Sequence, residues 1–159
     1  MLKNRDCYMK TLMEFKDKQV IKIVTGMRRC GKSSLLLLFA QKLLELGVPS
    51  ERIIKMNFES MSFDSIRDYR DLYSNITSQL PKEGKVYLIL DEVQMVERWE
   101  KAINAVSVDC DADIYITGSN AYLLSSELST LLSGRFVEIK MLPLSFREYI
   151  DFNNFDAGV

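Results

Sequence analysis

The chain has 159 residues, of which 47% are hydrophobic and 27% are charged, and its formal net charge is −1. This length and composition fit one globular domain or part of a larger protein, and they exclude disordered, collagen-like and disulfide-knot proteins. The near-zero net charge excludes the overall basic field that attracts nucleic acid. Histidine is absent, which excludes histidine-based catalytic triads and histidine metal ligands.

The cysteines and the apolar segments give information about the cellular location of the protein. Cys7, Cys30 and Cys110 are far apart and form no C-x-x-C pair, so neither a zinc ribbon nor a redox dithiol is predicted. The charged start MLKNRDCYMK has no apolar segment of the signal-peptide type, and the longest apolar stretch, residues 35–40, is far too short to span a membrane. We therefore expect a cytoplasmic protein with no membrane partner.

Segments with strand and helix patterns alternate along the chain. In chain order, helices are predicted at residues 1–18, 32–46, 68–80, 97–108 and 121–132, and strands at 20–25, 52–58, 85–90, 113–117 and 136–141. Trp99, Ile103 and Val106 recur on one side of their helix and are expected in the core. The S-x-x-E pattern at residues 145–148 predicts the start of a further helix. This alternation is typical of an α/β fold with a mostly parallel sheet.

Residues 26–34, GMRRCGKSS, carry the most specific signal in the chain. They fit G-x-x-x-x-G-K-[ST] and lie between a predicted strand and a predicted helix, where this phosphate-binding pattern belongs. The glycines let backbone N–H groups turn inward around an anion, and the following helix adds its positive N-terminal end. Lys32 is expected to reach the β- and γ-phosphates, and Ser33 to ligate Mg²⁺. The predicted nucleotide-binding residues are Gly26, Met27, Arg28, Arg29, Cys30, Gly31, Lys32, Ser33 and Ser34.

The paired arginines of this loop allow two interpretations. In the first interpretation, Arg28 and Arg29 add positive potential toward the nucleotide or contact a neighbouring subunit. In the other, they are solvated or paired with acidic side chains.

Two carboxylates end the apolar run at residues 86–90. Downstream of a phosphate-binding loop, Asp91 suits a role as Mg²⁺ ligand, directly or through water. Glu92 is suited to orient or deprotonate the water that attacks the γ-phosphate. A glutamate in this place favours hydrolysis over nucleotide binding alone.

Three further polar residues have two interpretations each. Ser119 and Asn120 follow the fourth predicted strand, where a polar side chain either senses the γ-phosphate or caps the next helix. Arg135 either supplies positive charge to the transition state, from the same or an adjacent subunit, or is a surface residue at a helix end.

These motifs together resemble the AAA+ ATPase superfamily, and in particular a prokaryotic branch whose members carry a C-terminal domain of unknown function. The resemblance covers nearly the whole chain. It rests on GMRRCGKSS at 26–34, LDEVQ at 90–94 followed by Trp99, TGSN at 117–120, SGRF at 133–136 and PLSFREY at 143–149.

The resemblance implies a P-loop NTPase fold, a three-layer α/β/α sandwich around a mostly parallel five-stranded sheet in the order 5-1-4-3-2. One strand then separates the strand of Asp91 from the strand that leads into the loop. The resemblance also implies ATP contact at Gly31, Lys32 and Ser33. It further implies metal and water handling at Asp91 and Glu92, a sensor at Ser119 or Asn120, and an arginine finger at Arg135.

The same resemblance bears on domain organisation. It implies one ATPase domain over residues 1–159, with a nucleotide-binding core at 19–142 and the start of a connecting segment at 143–159. Members of the branch continue well past PLSFREY, so we expect a C-terminal domain that this chain does not include, and weak turnover by the chain itself.

The leading hypothesis is a Mg²⁺-dependent ATPase that drives a conformational change in an attached domain or partner. The alternatives are a nucleotide-gated interaction switch with little turnover and a helicase-like ATPase, against which the single domain without a basic strand-binding groove argues. A GTPase is disfavoured because no N-K-x-D segment is present, and a P-loop kinase fits the Asp91–Glu92 pair less well. The oligomeric state stays open, a homo-oligomer included, and no pattern indicates nucleic acid.

Overall fold

A computed structural model describes residues 6–27, 30–119, 123 and 125–142 of the chain. Within these residues, five strands form one sheet in the order β2-β3-β4-β1-β5. The strands are β1 (Ile21–Gly26), β2 (Ile53–Asn57), β3 (Val86–Asp91), β4 (Ala112–Ser119) and β5 (Phe136–Met141). Every neighbouring pair is parallel, so the predicted α/β class and the predicted order 5-1-4-3-2 are confirmed.

Helices cover both faces of this sheet. They are α1 (Asp6–Phe15), α2 (Lys32–Glu45), α3 (Tyr69–Ser78), α4 (Trp99–Asp109) and α5 (Ser125–Leu131), with short 3₁₀ turns at Ser50–Arg52, Met61–Phe63 and Val93–Met95. Helices α1 and α2 pack on one face, and α3, α4 and α5 pack on the other. The predicted three-layer sandwich is therefore confirmed.

Each face of the sheet has its own hydrophobic core. Successive side chains of a strand point to opposite faces, so Leu88 of β3 packs with α3, α4 and α5, while Ile89 packs with α1 and α2. Trp99, Ile103 and Val106 are buried in the first of these cores, as predicted. Because both faces are covered, the strands are apolar along nearly their whole length.

The predicted and observed helices differ most at the two ends of the chain. Helix α1 ends at Phe15 instead of continuing to residue 18, because Asp17 adopts a left-handed conformation with φ of 65° and donates its backbone N–H to the Asp113 carboxylate. Helix α5 begins at Ser125 instead of residue 121, and Leu123 precedes it as a buried, non-helical residue. The helix predicted from residue 145 lies outside the described residues. Across the described ranges, no helix is long and apolar enough to span a bilayer.

The parallel arrangement decides where polar side chains collect. Strands β1, β3 and β4 end at Gly26, Asp91 and Ser119, and the carboxyl ends of parallel strands lie at one edge of a sheet. The predicted phosphate-binding loop, the acidic pair and Ser119 therefore share this carboxyl edge. Arg135, directly before β5, lies at the opposite, amino edge, where its carbonyl oxygen accepts the backbone N–H of Ile21 at 2.9 Å.

Candidate nucleotide-binding site

Two glycines shape the loop that joins β1 to α2. Gly31 has a φ of +99°, a left-handed conformation that glycine adopts without steric cost. A Cβ on Gly26 would lie 2.7 Å from both the Cys30 Sγ and the Met141 carbonyl oxygen. Glycine is therefore required at position 31 by the backbone conformation and at position 26 by close packing.

Lys32 lies inside the turn of this loop. Its side chain is 3% exposed, and Nζ donates to the carbonyl oxygens of Met27 at 2.8 Å and Gly26 at 3.1 Å. The Cys30 Sγ, 4.0 Å from the same ammonium, is itself buried. Cys30 therefore contributes packing inside the loop, while the Lys32 ammonium supplies positive charge at the start of α2.

The first turn of α2 brings hydroxyl groups to the same place. Ser33 is exposed and Ser34 is half-buried. Helix α2 is 14 residues long, and its N-terminus carries positive partial charge from unpaired backbone N–H groups. An anion at this terminus would meet backbone N–H groups, the Lys32 ammonium and the Ser33 hydroxyl together.

Ser33 and Asp91 line one cavity of about 250 Å³, together with Lys55 and Asn57 of β2. A hydroxyl and a carboxylate are the hard oxygen ligands that Mg²⁺ takes from a protein when phosphates supply further oxygens. No group of three or more acidic or cysteine side chains able to hold a metal occurs in the described part of the chain. Ser33 and Asp91 would therefore hold Mg²⁺ together with oxygens that a bound phosphate would supply.

Thr117 of β4 connects the two acidic residues. It is fully buried, and its hydroxyl donates a short hydrogen bond to the Asp91 carboxylate. The same oxygen accepts the backbone N–H of Glu92 at 2.9 Å. Asp91 and Glu92 are themselves buried, 7% and 8% exposed, so this hydroxyl is part of their immediate surroundings.

The Glu92 carboxylate is surrounded by donors from two elements. Its Oε2 accepts a short hydrogen bond from the Gln94 side-chain amide and lies 3.5 Å from the Ser119 Oγ. Glu92 has a φ of 55°, and this left-handed turn directs the chain out of β3 into the following 3₁₀ turn. Ser119 therefore contacts the predicted water-activating residue and lies six positions before α5, which it does not cap.

Gly118 makes room for this arrangement. A Cβ there would lie 2.0 Å from the Leu123 Cδ1 and 2.9 Å from the Gln94 Oε1. That Oε1 is the buried side-chain oxygen for which the described residues provide no hydrogen-bond partner. Gln94 thus packs directly against the backbone that joins Thr117 to Ser119.

The structure brings together most, but not all, of the predicted site residues. The carboxyl edge of the sheet holds Gly26, Met27, Cys30, Gly31, Lys32, Ser33, Ser34, Asp91, Glu92 and Ser119. Arg135 is exposed at the amino edge, on a second cavity of about 500 Å³ that is lined by side chains of both charges. It therefore cannot act on a nucleotide bound at the loop of its own chain. Arg28, Arg29 and Asn120 lie outside the described residues.

Thr117 and Gln94 were not predicted as site residues. Alternation along a strand offered a signal for Thr117, because residues i and i+2 of a strand point to the same face and Ser119 was already a candidate. Gln94 lies in the LDEVQ motif, but no sequence pattern showed its contact with Glu92, which depends on the tight turn after β3.

Comparisons with known proteins agree with this geometry. Residues 18–150 match the profile of a family described as "AAA domain". An uncharacterized protein of Haemophilus influenzae is 46% identical over 155 residues, which are 97% of this chain and 39% of that protein. The uncharacterized protein MJ1544 of Methanocaldococcus jannaschii is 33% identical over 86% of this chain and 30% of its own length. The chain thus spans about two-fifths or less of these relatives.

Solved structures agree in fold at low sequence identity. A DNA polymerase III gamma subunit-related protein from Thermotoga maritima superposes with a TM-score of 0.62 at 14% identity. The superposition covers 90% of this chain and 48% of the Thermotoga chain. Hsp104, solved with ATPγS and casein, superposes with a TM-score of 0.67 at 12% identity, covering 96% of this chain and 29% of its own. The family match extends over most of the chain, and the fold and the loop geometry agree with it. The chain belongs to the AAA domain family, as its motifs predicted, and this membership indicates a nucleotide-binding domain of the ATPase type.

Proposed function

We propose that this domain binds ATP with Mg²⁺ at the carboxyl edge of its sheet and hydrolyses the terminal phosphate. The observation that carries the proposal is the shared cavity of Ser33 and Asp91, next to a loop whose lysine and helix N-terminus are positive. These are the groups that phosphoryl transfer to water requires, since catalysis there is mostly positioning and charge stabilisation.

Lys32 is the proposed phosphate-binding cation. Its ammonium donates to two loop carbonyl oxygens, and phosphate oxygens are stronger acceptors because they are charged. Binding of a triphosphate would replace one or both of these bonds. The side chain is held by the loop close to where the phosphates would lie, so little conformational entropy is lost on binding.

Ser33 and Asp91 are the proposed holders of Mg²⁺. When bound, the metal neutralises charge on the phosphate oxygens. The Ser33 hydroxyl is presented by the first turn of α2, and the Asp91 carboxylate by the last residue of β3. Two rigid elements therefore fix the two protein oxygens relative to each other.

Glu92 is the proposed base for the attacking water, with Ser119 beside it as the sensor candidate. The carboxylate is buried, and burial strengthens its interaction with a polarised water. Gln94 and Ser119 restrict its rotation, so that it does not have to be ordered during the reaction.

We further propose that hydrolysis drives a conformational change in an attached domain or a partner. The Haemophilus relative is more than twice as long as the stretch it shares with this chain, which leaves room for such a domain in that protein. Arg135 faces away from the loop of its own chain, which supports a homo-oligomer in which it serves the nucleotide of a neighbouring copy. A cytoplasmic location stays a prediction.

The test is ATP and GTP binding and turnover with Mg²⁺ for wild type, Lys32→Ala and Glu92→Gln. We expect wild type to prefer ATP, Lys32→Ala to lose nucleotide affinity, and Glu92→Gln to keep affinity while turnover falls by about 10²-fold or more, the range of a lost general base. Failure of the wild type to bind nucleotide would overturn the proposal.

A nucleotide-gated switch with little turnover is the second candidate. The observation that favours it is the hydrogen bonding of the Glu92 carboxylate to Gln94 and Ser119, because a carboxylate engaged in this way has less capacity to accept a proton from water. Tight ATP binding together with a slow turnover that Glu92→Gln leaves unchanged would select this candidate over the hydrolase.

A further inference from the structure

We infer that Thr117 is a positioning residue which sets the geometry of Asp91 and Glu92 through one hydroxyl group. The inference rests on the proposed function, because it concerns the metal ligand and the base of that same site. Thr117 lies on β4, the strand that separates β3 from β1, and its hydroxyl is hydrogen-bonded to both acidic residues.

The direction of the hydroxyl proton follows from its two partners. The Glu92 backbone N–H can only donate, so the Thr117 oxygen accepts from it. The hydroxyl proton is then directed to the Asp91 carboxylate, which accepts it as a charge-assisted bond. The Thr117 hydroxyl group therefore orients the Asp91 carboxylate and holds the Glu92 backbone at the same time.

The backbone of Glu92 explains why a partner is needed at this point. A left-handed conformation is unfavourable for a non-glycine residue, and the φ of Glu92 is 55°. Its N–H points back into the sheet, where Thr117 is 0% exposed. Without the hydroxyl this donor would be buried and unpaired, which proteins avoid because an unpaired buried N–H is costly.

The same contact separates the roles of the two acids. Asp91 ends β3, while Glu92 begins the turn that carries its carboxylate toward Gln94 and Ser119. Loss of the hydroxyl would release the Asp91 carboxylate to rotate and would allow the Glu92 turn to relax. Metal dependence and turnover would then change together, while contacts of the nucleotide with the Lys32 loop would persist.

The experiment compares Thr117→Val, which keeps the shape and removes the hydroxyl, with Thr117→Ser, which keeps the hydroxyl. Nucleotide affinity is measured with a fluorescent ATP analogue in EDTA and across a Mg²⁺ titration, and turnover is measured at saturating ATP. Circular dichroism and thermal unfolding verify that both variants are folded.

For Thr117→Val we expect an affinity in EDTA within about twofold of wild type. The Mg²⁺-dependent gain in affinity is expected to fall, and kcat to fall by about 10- to 100-fold, the change that corresponds to one lost hydrogen bond to a charged group. Thr117→Ser is expected to restore both quantities to within about threefold of wild type.

Several results would overturn the inference. A Thr117→Val variant with the metal dependence and kcat of wild type would show that the hydroxyl positions nothing. A Thr117→Ser variant as impaired as Thr117→Val would show that the hydroxyl group alone does not account for the effect. If wild type binds ATP without turnover, only the hydrolase fails, and the Mg²⁺ titration still decides on Thr117. If wild type binds nucleotide no better than the Lys32→Ala variant, which is expected to lose nucleotide affinity, the proposed function and this inference fail together.

Discussion

Lys22 of β1 and Asp113 of β4 form a buried ion pair at the amino edge of the sheet, opposite the proposed nucleotide site. Lys22 is 0% exposed and Asp113 is 3% exposed. The Lys22 ammonium also donates to the Lys18 carbonyl oxygen at 2.7 Å, and the other Asp113 oxygen accepts from the Tyr115 hydroxyl at 2.7 Å. The pair thus fastens the segment that follows α1 to two neighbouring strands.

Removal of one partner of this pair should be strongly destabilising. Burial lowers the pKa of the Lys22 ammonium, while Asp113 opposes this effect. Lys22→Met would leave the Asp113 carboxylate buried without its cation. We expect the free energy of unfolding to fall by about 3–5 kcal/mol, as for other buried pairs broken on one side, in urea denaturation at neutral pH.

Lys85→Met is the matched control for Lys22→Met. The Lys85 ammonium lies 3.6 Å from the Asp17 carboxylate, and its side chain is 32% exposed. A partly exposed pair of this kind contributes about 0–1 kcal/mol. Equal losses of stability in the two variants would show that burial of the Lys22–Asp113 pair has no special energetic role.

Asp17 predicts a specific pH dependence of stability. Burial alone would raise the pKa of this carboxyl, but hydrogen bonds from Lys16 and Tyr87 outweigh it and hold the pKa below its usual value. A lowered pKa in the folded state means that its stabilisation is present above the unfolded-state pKa of about 3.9 and is lost as the pH falls through the folded-state pKa. Unfolding in urea should therefore become easier below about pH 4.

Asp17→Asn separates this contribution from those of other carboxylates. Asparagine tolerates the left-handed conformation of this position, so the turn should persist. We expect stability near pH 7 to fall by less than about 1 kcal/mol, because the site is partly exposed, and the further loss between pH 5 and pH 3 to be smaller than in wild type. If the free energies of unfolding of wild type and Asp17→Asn fall by the same amount between pH 5 and pH 3, the pH dependence does not come from Asp17.

Gly118→Ala should disturb the site without touching the phosphate-binding loop. The added methyl would overlap Leu123 and approach the Gln94 Oε1, and such overpacking costs about 1–3 kcal/mol. Because Gln94 holds the Glu92 carboxylate, we expect kcat to fall while ATP affinity stays near that of wild type. Urea denaturation and steady-state kinetics measure the two effects.

Gly47→Ala is the control for Gly118→Ala. Gly47 follows α2, and a Cβ there would meet no atom within 4 Å, although its φ is +91°. This substitution should cost about 1–2 kcal/mol through backbone conformation and leave kcat unchanged. A Gly118→Ala variant that also keeps wild-type kcat would separate Gln94 from catalysis.

Arg135 should contribute to the turnover of a nucleotide bound to a neighbouring copy of the chain. We expect Arg135→Ala to keep ATP affinity and to lose about 10³-fold or more in turnover, the range seen for arginine fingers. Because Arg135→Ala has an intact loop and Lys32→Ala has an intact arginine, a mixture of the two inactive variants should regain activity. Turnover of Arg135→Ala equal to that of wild type would make Arg135 a surface residue, the alternative interpretation.

The fold was predictable where local pattern and tertiary packing agree. Strand β5 begins and ends at the predicted residues, Phe136 and Met141. Helix α3 lacks only the ends of its predicted range, because Asp68 is its N-cap and Gln79 is its C-cap. The end of α1 was not predictable, since Asp17 leaves the helical conformation through a contact with Asp113, 96 residues away. No window of local sequence contains that contact.

The candidate site divides in the same way. Lys32 and Ser33 are adjacent in a loop whose residue pattern carries its own conformation, and Asp91 ends the most apolar strand of the chain. Thr117 was not predicted as a site residue because the sequence did not show the two hydrogen bonds that its buried hydroxyl makes with Asp91 and Glu92. Arg135 was a candidate on its motif, and only the direction of β5 shows that it lies at the edge away from its own loop.

The sequence by itself determined the fold class and the chemical groups of the loop, because strand and helix periodicity and the glycine spacing are local properties of the chain. Its motifs carried the resemblance that the family match confirmed. The tertiary structure alone decided that one buried hydroxyl joins Asp91 to Glu92 and that Gln94 holds the Glu92 carboxylate. It also decided that Lys22 and Asp113 neutralise each other at the far edge. These relationships arise from strand order and close packing, which join residues that are distant in the sequence and leave no periodic trace there.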